Sequence, residues 1–164
     1  MSVAFNAEEV LEIAKRIEKN GTEFYRGARE RAEDPLTRQL FDDLARMEEE
    51  HQATFDAMLR ERKKAGSLEV FFDPDGEGLK ILHAWADGTV FDVNDEMGPP
   101  LKGKEPMDEI LKTAIQAEKD SVVFYQGIKE AIQSPEDLLA VDEVIREEMK
   151  HITLLSEALT RSQS

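Results

Sequence analysis

The second half of the chain repeats the first half at a fixed offset of 100 residues, without a gap. In the first part of the repeat, the residues shared by the two halves are Leu11/Leu111, Ala14/Ala114, Glu18/Glu118, Lys19/Lys119, Phe24/Phe124, Tyr25/Tyr125, Gly27/Gly127 and Glu30/Glu130. In the second part they are Pro35/Pro135, Asp42/Asp142, Arg46/Arg146, Glu48/Glu148, His51/His151 and Leu59/Leu159. The pattern predicts two similar units related by a pseudo-twofold axis, with like residues meeting at the centre.

Each half reads as a pair of helices. Apolar residues recur at helical spacing in four segments, which predicts helices over about 7–32, 35–64, 106–132 and 135–160. Asp34-Pro35 and Ser134-Pro135 are typical of helix starts, and Gly66 is typical of a helix end. Because the link within each pair is short, each half should form an antiparallel helical hairpin.

The segment between the two halves, residues 66–104, has a different composition. It contains several Gly and Pro residues and only short apolar runs. It also contains His83, which we interpret as a structural or surface histidine. A loop of this length is unusual unless it packs along the domain. The sequence therefore predicts one all-α domain over 1–164, a four-helix bundle of two hairpins joined by a long crossover.

Composition excludes several classes of protein. The chain has no Cys, so disulfides, Cys-ligated zinc and iron–sulfur clusters are excluded. Its net charge of −15 disfavours nucleic acid as a partner. We find no secretory signal and no apolar run long enough for a membrane span, and therefore expect a cytoplasmic protein without a membrane partner.

Two Glu-x-x-His motifs are candidate metal-binding motifs. Glu48 precedes His51 by three positions, and Glu148 precedes His151 by three positions. On a helix, residues i and i+3 share a face, so each carboxylate and imidazole can point at one spot. This pair of ligands suits iron, manganese or zinc.

Two further carboxylates lie at or beside the apolar stripes of their helices. Glu18 sits among Ala14, Ile17 and Gly21, and Glu118 has the equivalent position in the second half. Four buried carboxylates would repel one another strongly and lose hydration. Two divalent cations would neutralise the four negative charges, while two neutral imidazoles would add none.

This ligand set resembles that of the ferritin-like superfamily and, within it, of the rubrerythrin-like di-iron carboxylate proteins. The ligands implied by the resemblance are Glu18, Glu48, His51, Glu118, Glu148 and His151. Glu18 and His51 would serve one metal ion and Glu118 and His151 the other, with Glu48 and Glu148 chosen as the bridging pair. Tyr25 and Tyr125 would donate hydrogen bonds to the ligating carboxylates. The expected cofactor is two iron ions per bundle, with manganese or zinc left open.

Two departures from the rubrerythrin pattern are visible. Rubrerythrins usually carry an extra Glu one turn beyond the third-helix ligand, where this chain has Ser121. They also usually carry a rubredoxin-like module with two Cys pairs, which this sequence lacks. By the resemblance, electrons would therefore have to come from another protein.

The resemblance implies a non-haem di-iron oxidoreductase that reduces hydrogen peroxide or dioxygen. Its electrons would come from an external electron-transfer protein such as rubredoxin, and we expect a homodimer. One alternative is a ferroxidase that oxidises iron for storage or detoxification. A second alternative is a metal-free helical interaction module.

Overall fold

The computed structural model describes residues 7–66, 101, 103–129 and 132–164. This part of the chain contains four α-helices and no strand: α1 Ala7–Arg31, α2 Pro35–Ala65, α3 Met107–Lys129 and α4 Pro135–Ser162. The predicted all-α class is confirmed, and three of the helices agree with their predicted bounds to within two residues. Most of the crossover, including His83, lies outside the described residues.

The third helix is shorter than predicted. It was expected to end at 132 but ends at Lys129, and 130 and 131 lie outside the described residues. The backbone N–H of Ile132 donates to the Lys129 carbonyl at 3.2 Å. This i to i−3 bond is tighter than the i to i−4 bond of an α-helix, and Ile132 itself is not helical.

Side chains and backbone conformation fix the ends of α2 and the start of α4. The Asp34 carboxylate accepts hydrogen bonds from the backbone N–H of Thr37 at 2.9 Å and from its hydroxyl at 2.7 Å. Ser134 likewise accepts from the backbone N–H of Asp137. At the other end of α2, Gly66 has a left-handed φ of 62°, which glycine adopts without steric cost.

The two hairpins use equivalent ion pairs between their helices. Arg29 on α1 contacts Asp42 on α2 at 2.7 Å, and Lys129 on α3 contacts Asp142 on α4 at 2.5 Å. The four positions are related by the offset of 100 residues. Because the side chains are partly or well exposed, these pairs contribute little to stability, but they show that both hairpins have the same register.

The core consists of two apolar layers separated by a polar band. One layer combines the N-terminal halves of α1 and α4 with the C-terminal halves of α2 and α3, and includes Val10, Leu11, Ala14, Phe55, Leu59, Phe124, Tyr125, Ile128, Val141 and Ile145. The other layer combines the opposite halves, and includes Tyr25, Ala28, Phe41, Leu44, Ile110, Leu111, Ala114, Leu155 and Ala158. Thus α1 runs parallel to α4 and antiparallel to α2 and α3.

This topology requires a long connection. Residue Gly66 follows the end of α2 that packs in the first layer, whereas Leu101 packs against the second layer. The connection between them therefore begins and ends at opposite ends of the bundle, as expected for the predicted crossover, and its own course lies outside the described residues.

Candidate metal centre

The polar band between the two apolar layers is formed by the six candidate ligands. They come from all four helices and are at most 4% exposed: Glu18 on α1, Glu48 and His51 on α2, Glu118 on α3, and Glu148 and His151 on α4. We refer to these six residues as the Glu/His centre. The structure brings together every residue of the predicted set.

The Glu/His centre divides into two overlapping groups of potential ligands. In each group, one ligating atom per residue lies within 4.8 Å of all the others. The groups are Glu18, Glu48, His51 and Glu148, and Glu48, Glu118, Glu148 and His151. Two carboxylates, Glu48 and Glu148, belong to both groups, and each group has its own imidazole and its own further carboxylate.

The Glu148 carboxylate lies between the two imidazoles. Its Oε1 is 2.9 Å from Nδ1 of His51, and its Oε2 is 3.0 Å from Nδ1 of His151. The remaining carboxylate on each side is slightly farther away: Glu18 Oε2 is 3.4 Å from Nδ1 of His51, and Glu118 Oε1 is 3.4 Å from Nδ1 of His151. Both histidines therefore present Nδ1 to the interior of the centre.

Glu48 approaches the centre closely because a glycine faces it. Its Oε1 is 3.3 Å from Nδ1 of His151. On α1, a Cβ atom added to Gly21 would lie 3.1 Å from Glu48 Oε2. The space at Gly21 is thus filled by the Glu48 carboxylate. At the equivalent position of α3, Ser121 is buried and its hydroxyl donates to the Ala117 carbonyl at 3.1 Å.

Two buried tyrosines connect the hairpins through the centre. The Tyr25 hydroxyl donates to Glu118 Oε1, and the Tyr125 hydroxyl donates to Glu18 Oε1. Each tyrosine therefore holds a carboxylate of the opposite hairpin. Burial and the neighbouring carboxylates raise the pKa of both phenols well above 10, so both remain protonated donors.

Several buried polar atoms of the centre have no hydrogen-bond partner in the part of the chain that the structure describes. They are Glu18 Oε2, Glu48 Oε1, both carboxylate oxygens of Glu148, Nδ1 of both histidines and Nε2 of His151. Most of them approach one another to 2.9–3.4 Å without the geometry of a hydrogen bond. Leaving such atoms buried and unpaired is costly. Cations that accept their lone pairs would satisfy them together, so this donor set fits metal ions.

The metal-free centre would hold protons at neutral pH. Burial alone would lower the pKa of His51, but the Glu148 and Glu18 carboxylates outweigh it and raise the pKa to about 11. For His151, Glu118 and Glu148 likewise outweigh burial and raise the pKa to about 9.

The two shared carboxylates also bind protons more tightly than usual. Burial, followed by repulsion from the other carboxylates, raises the pKa of Glu48 and of Glu148. For Glu118, burial is outweighed by interactions with Glu148, His151 and Tyr25, which lower its pKa. Metal ions entering this centre would therefore displace protons.

One contact of the centre was not anticipated from the sequence. Glu147 places Oε2 at 2.6 Å from Nε2 of His51. The residue was missed because it adjoins the ligand Glu148 and because its equivalent in the first half is Met47, so the repeat gave no signal.

Comparisons with known proteins agree with this architecture. The Rubrerythrin family model matches residues 9–76, the part of the chain that carries Glu18, Glu48 and His51. A crystal structure from Thermotoga maritima, described as a ferritin-like diiron-carboxylate protein, aligns with 97% of this chain over 97% of its own length, with a TM-score of 0.68 and 23% identity. No curated protein matches the chain significantly. The ferritin-like fold and the resemblance to rubrerythrins are thus confirmed.

The described helices give no sign of membrane insertion. None of those within 7–66, 103–129 and 132–164 is long and apolar enough to cross a bilayer.

Proposed function

We propose that the Glu/His centre binds two iron ions and that the protein is a non-haem di-iron oxidoreductase reducing hydrogen peroxide or dioxygen. One observation carries the proposal: two Glu-x-x-His pairs and two further carboxylates converge in a buried band, and five of the six residues have ligating atoms without a hydrogen-bond partner among the described residues. This is the arrangement of di-iron and di-manganese carboxylate bundles. The resemblance to rubrerythrins favours iron.

In this proposal the contacts of each ligand assign it to one of two metal positions or to both. Glu18 and His51 hold one ion, and Glu118 and His151 hold the other. Glu48 and Glu148 would bridge the ions, because both belong to each group of potential ligands. Two doubly charged ions balance four carboxylates, which removes the repulsion that otherwise keeps protons on the metal-free centre.

Two iron ions held by these residues would supply the two electrons that, with two protons, reduce one peroxide molecule to two water molecules. The chain's own residues position and shield this chemistry. The hydroxyl of Tyr125 binds Oε1 of Glu18 and leaves Oε2 facing His51. The hydroxyl of Tyr25 binds Oε1 of Glu118 and so fixes the oxygen that approaches His151. The apolar layers on both sides of the polar band limit the access of bulk water.

Re-reduction requires electrons from outside the centre. We propose an external electron-transfer protein such as rubredoxin as the donor, and a homodimer as the assembly in which the protein works. Both parts of the proposal follow from the resemblance to rubrerythrins.

Anaerobic loading with Fe²⁺, followed by stopped-flow mixing with H₂O₂ or O₂, tests the proposal. We expect two irons per chain and faster oxidation by peroxide than by dioxygen. Glu48→Gln should lose iron binding, because it removes a shared charge from the centre. Glu50→Gln is the matched control: it makes the same change two residues away on the same helix, at an exposed position.

The alternatives predict different results. Fast oxidation by O₂ with continued uptake of iron would identify a ferroxidase. Failure of the wild-type protein to bind iron stoichiometrically, with Glu48→Gln as stable as wild type, would leave the metal-free interaction module and refute the proposal.

A further inference from the structure

The two imidazoles of the Glu/His centre differ in what their second nitrogen contacts. On His51, Nε2 lies 2.6 Å from Oε2 of Glu147, within hydrogen-bond distance. On His151, Nε2 is buried and finds no hydrogen-bond partner within 7–66, 101, 103–129 and 132–164. Toward the interior, both rings turn Nδ1 to Glu148 and to a carboxylate of their own, Glu18 for His51 and Glu118 for His151. Nδ1 of His151 also lies 3.3 Å from Glu48 Oε1.

The difference between the two imidazoles follows from a difference between the two halves of the sequence. Glu147 immediately precedes Glu148 on α4, and the equivalent position on α2, immediately before Glu48, is Met47. A methionine thioether is at most a weak acceptor, whereas a carboxylate accepts strongly from an imidazole N–H. The repeat thus supplies the same ligands to both sides of the centre but a carboxylate partner to only one imidazole.

A carboxylate partner changes an imidazole as a ligand. With Nδ1 binding a metal ion, Nε2 of His51 would carry the ring's one proton and donate it to Glu147. This hydrogen bond fixes the tautomer and the ring orientation and makes Nδ1 a stronger donor to a metal ion. Removal of such a partner typically lowers metal affinity about 10–100-fold. Within the described residues, no hydrogen bond fixes the His151 ring in this way.

We propose that Glu147 is a positioning residue that makes the two metal positions unequal, so that the position served by His51 and Glu18 binds its ion first and more tightly. The inference rests on the proposed function only in requiring that the Glu/His centre binds metal. The Glu147 side chain is 32% exposed. It therefore acts from the edge of the bundle, outside the set of ligands.

Calorimetric titration with Co²⁺ tests the inequality in the full-length protein. For wild type we expect two binding steps whose affinities differ about 10–100-fold. Glu147→Met, which gives α4 the residue found at the equivalent position of α2, should weaken the first step by that factor and bring the two steps together. Glu143→Met is the matched control: it makes the same substitution one turn earlier on α4, at an exposed position, and should leave both steps unchanged.

A second variant and a spectroscopic readout separate positioning from a general effect on structure. Met47→Glu offers His151 the missing partner and should tighten the second step. In the Zn²⁺-loaded protein, ¹⁵N NMR of the ring nitrogens should show the His51 proton on Nε2. In Glu147→Met, that proton should exchange faster with solvent.

Three results would contradict the proposed inequality of the two metal positions. Two equal steps in wild type, or unchanged steps and unchanged Nε2–H exchange in Glu147→Met, would overturn the inequality while leaving metal binding intact. Absence of Co²⁺ binding by wild type would instead refute the proposed function and this inference together. A folded Glu147→Met protein that loses only the weaker step would show that the order of the two positions is the reverse of the one proposed.

Discussion

The contact between Gly21 and Glu48 allows helix stability and metal affinity to be changed in opposite directions. A Cβ atom at Gly21 would lie 3.1 Å from Oε2, 3.2 Å from Cδ and 3.3 Å from Cγ of Glu48. An ordinary contact between such atoms is about 3.5–4.0 Å. In Gly21→Ala, the Glu48 carboxylate must therefore retreat by a few tenths of an ångström, or α1 must move away from α2.

The matched control lies on the same helix. A Cβ atom at Gly27 would lie 3.6 Å from Cδ1 of Leu101, which is an ordinary contact. Replacing glycine by alanine within a helix stabilises it by about 1 kcal/mol. For a chain of this size, that corresponds to a rise in Tm of about 2–4 °C. We expect this rise in Tm for Gly27→Ala. For metal-free Gly21→Ala we expect a smaller rise, because displacement of Glu48 offsets part of the stabilisation.

Metal binding should separate the two variants. A functional constellation needs its groups within about 0.5 Å of the productive geometry, and a displacement of Glu48 by a few tenths of an ångström takes up much of that tolerance. Since Glu48 is proposed to bridge both ions, Gly21→Ala should weaken both binding steps, by roughly tenfold, or about 1.4 kcal/mol. Gly27→Ala should bind metal as the wild type does.

Calorimetry with Co²⁺ and thermal unfolding with and without the metal measure both effects. Gly21→Ala should gain less Tm on loading than either wild type or Gly27→Ala. If Gly21→Ala binds Co²⁺ with wild-type affinity and shows the full increase in Tm, then Glu48 does not need the space at Gly21, and its role as a shared ligand is refuted.

Two further predictions concern groups that hold protons. Tyr125→Phe removes the donor to Glu18 Oε1 and should lower the free energy of unfolding by about 1–3 kcal/mol, measured with urea; an unchanged midpoint would contradict the hydrogen bond. The metal-free protein should lose stability as pH rises from 6 to 9, because folded His51 and Glu148 keep protons there that the unfolded chain, with pKa values near 6.5 and 4.5, releases. The lowered pKa of Glu118 acts below pH 4.5 and does not oppose this trend. Urea midpoints that rise over this range would show that the centre is not buried as described.

Much of the fold was predictable because its signals are local. Asp34-Pro35 and Gly66 bound α2 where expected, and helical periodicity placed Glu18 on the buried face of α1. The repeat added what periodicity alone cannot give, since it predicted that equivalent residues of the two hairpins would meet. The predicted end of α3 at 132 was wrong, since Ile132 is not helical, and no Gly or Pro between Lys129 and Ser134-Pro135 marks an earlier end.

The missed parts of the centre depend on how neighbouring helices face one another. A residue adjacent to a ligand points about 100° away around its helix, so the sequence could not show that Glu147 meets His51 on α2. Nor could it assign Tyr25 to Glu118, since that pairing depends on α1 and α3 running antiparallel. The importance of Gly21 was also ambiguous, because a glycine within a helix can serve close packing of any kind.

Comparison of the two halves distinguishes the number of proposed metal positions from the affinity of each position. The ligands and the tyrosines are the same in both halves, and this equality argues that two metal positions exist. Two of the positions that differ between the halves matter for the ligands: Gly21 corresponds to Ser121, and Met47 corresponds to Glu147. In the first half, Gly21 admits the Glu48 carboxylate; in the second half, Glu147 holds His51 from outside the centre. Both differences act on the ligands of α2, so the geometry of that helix at the centre is set by residues that the repeat does not share. If the centre binds two ions as proposed, these residues would decide how firmly each ion is held.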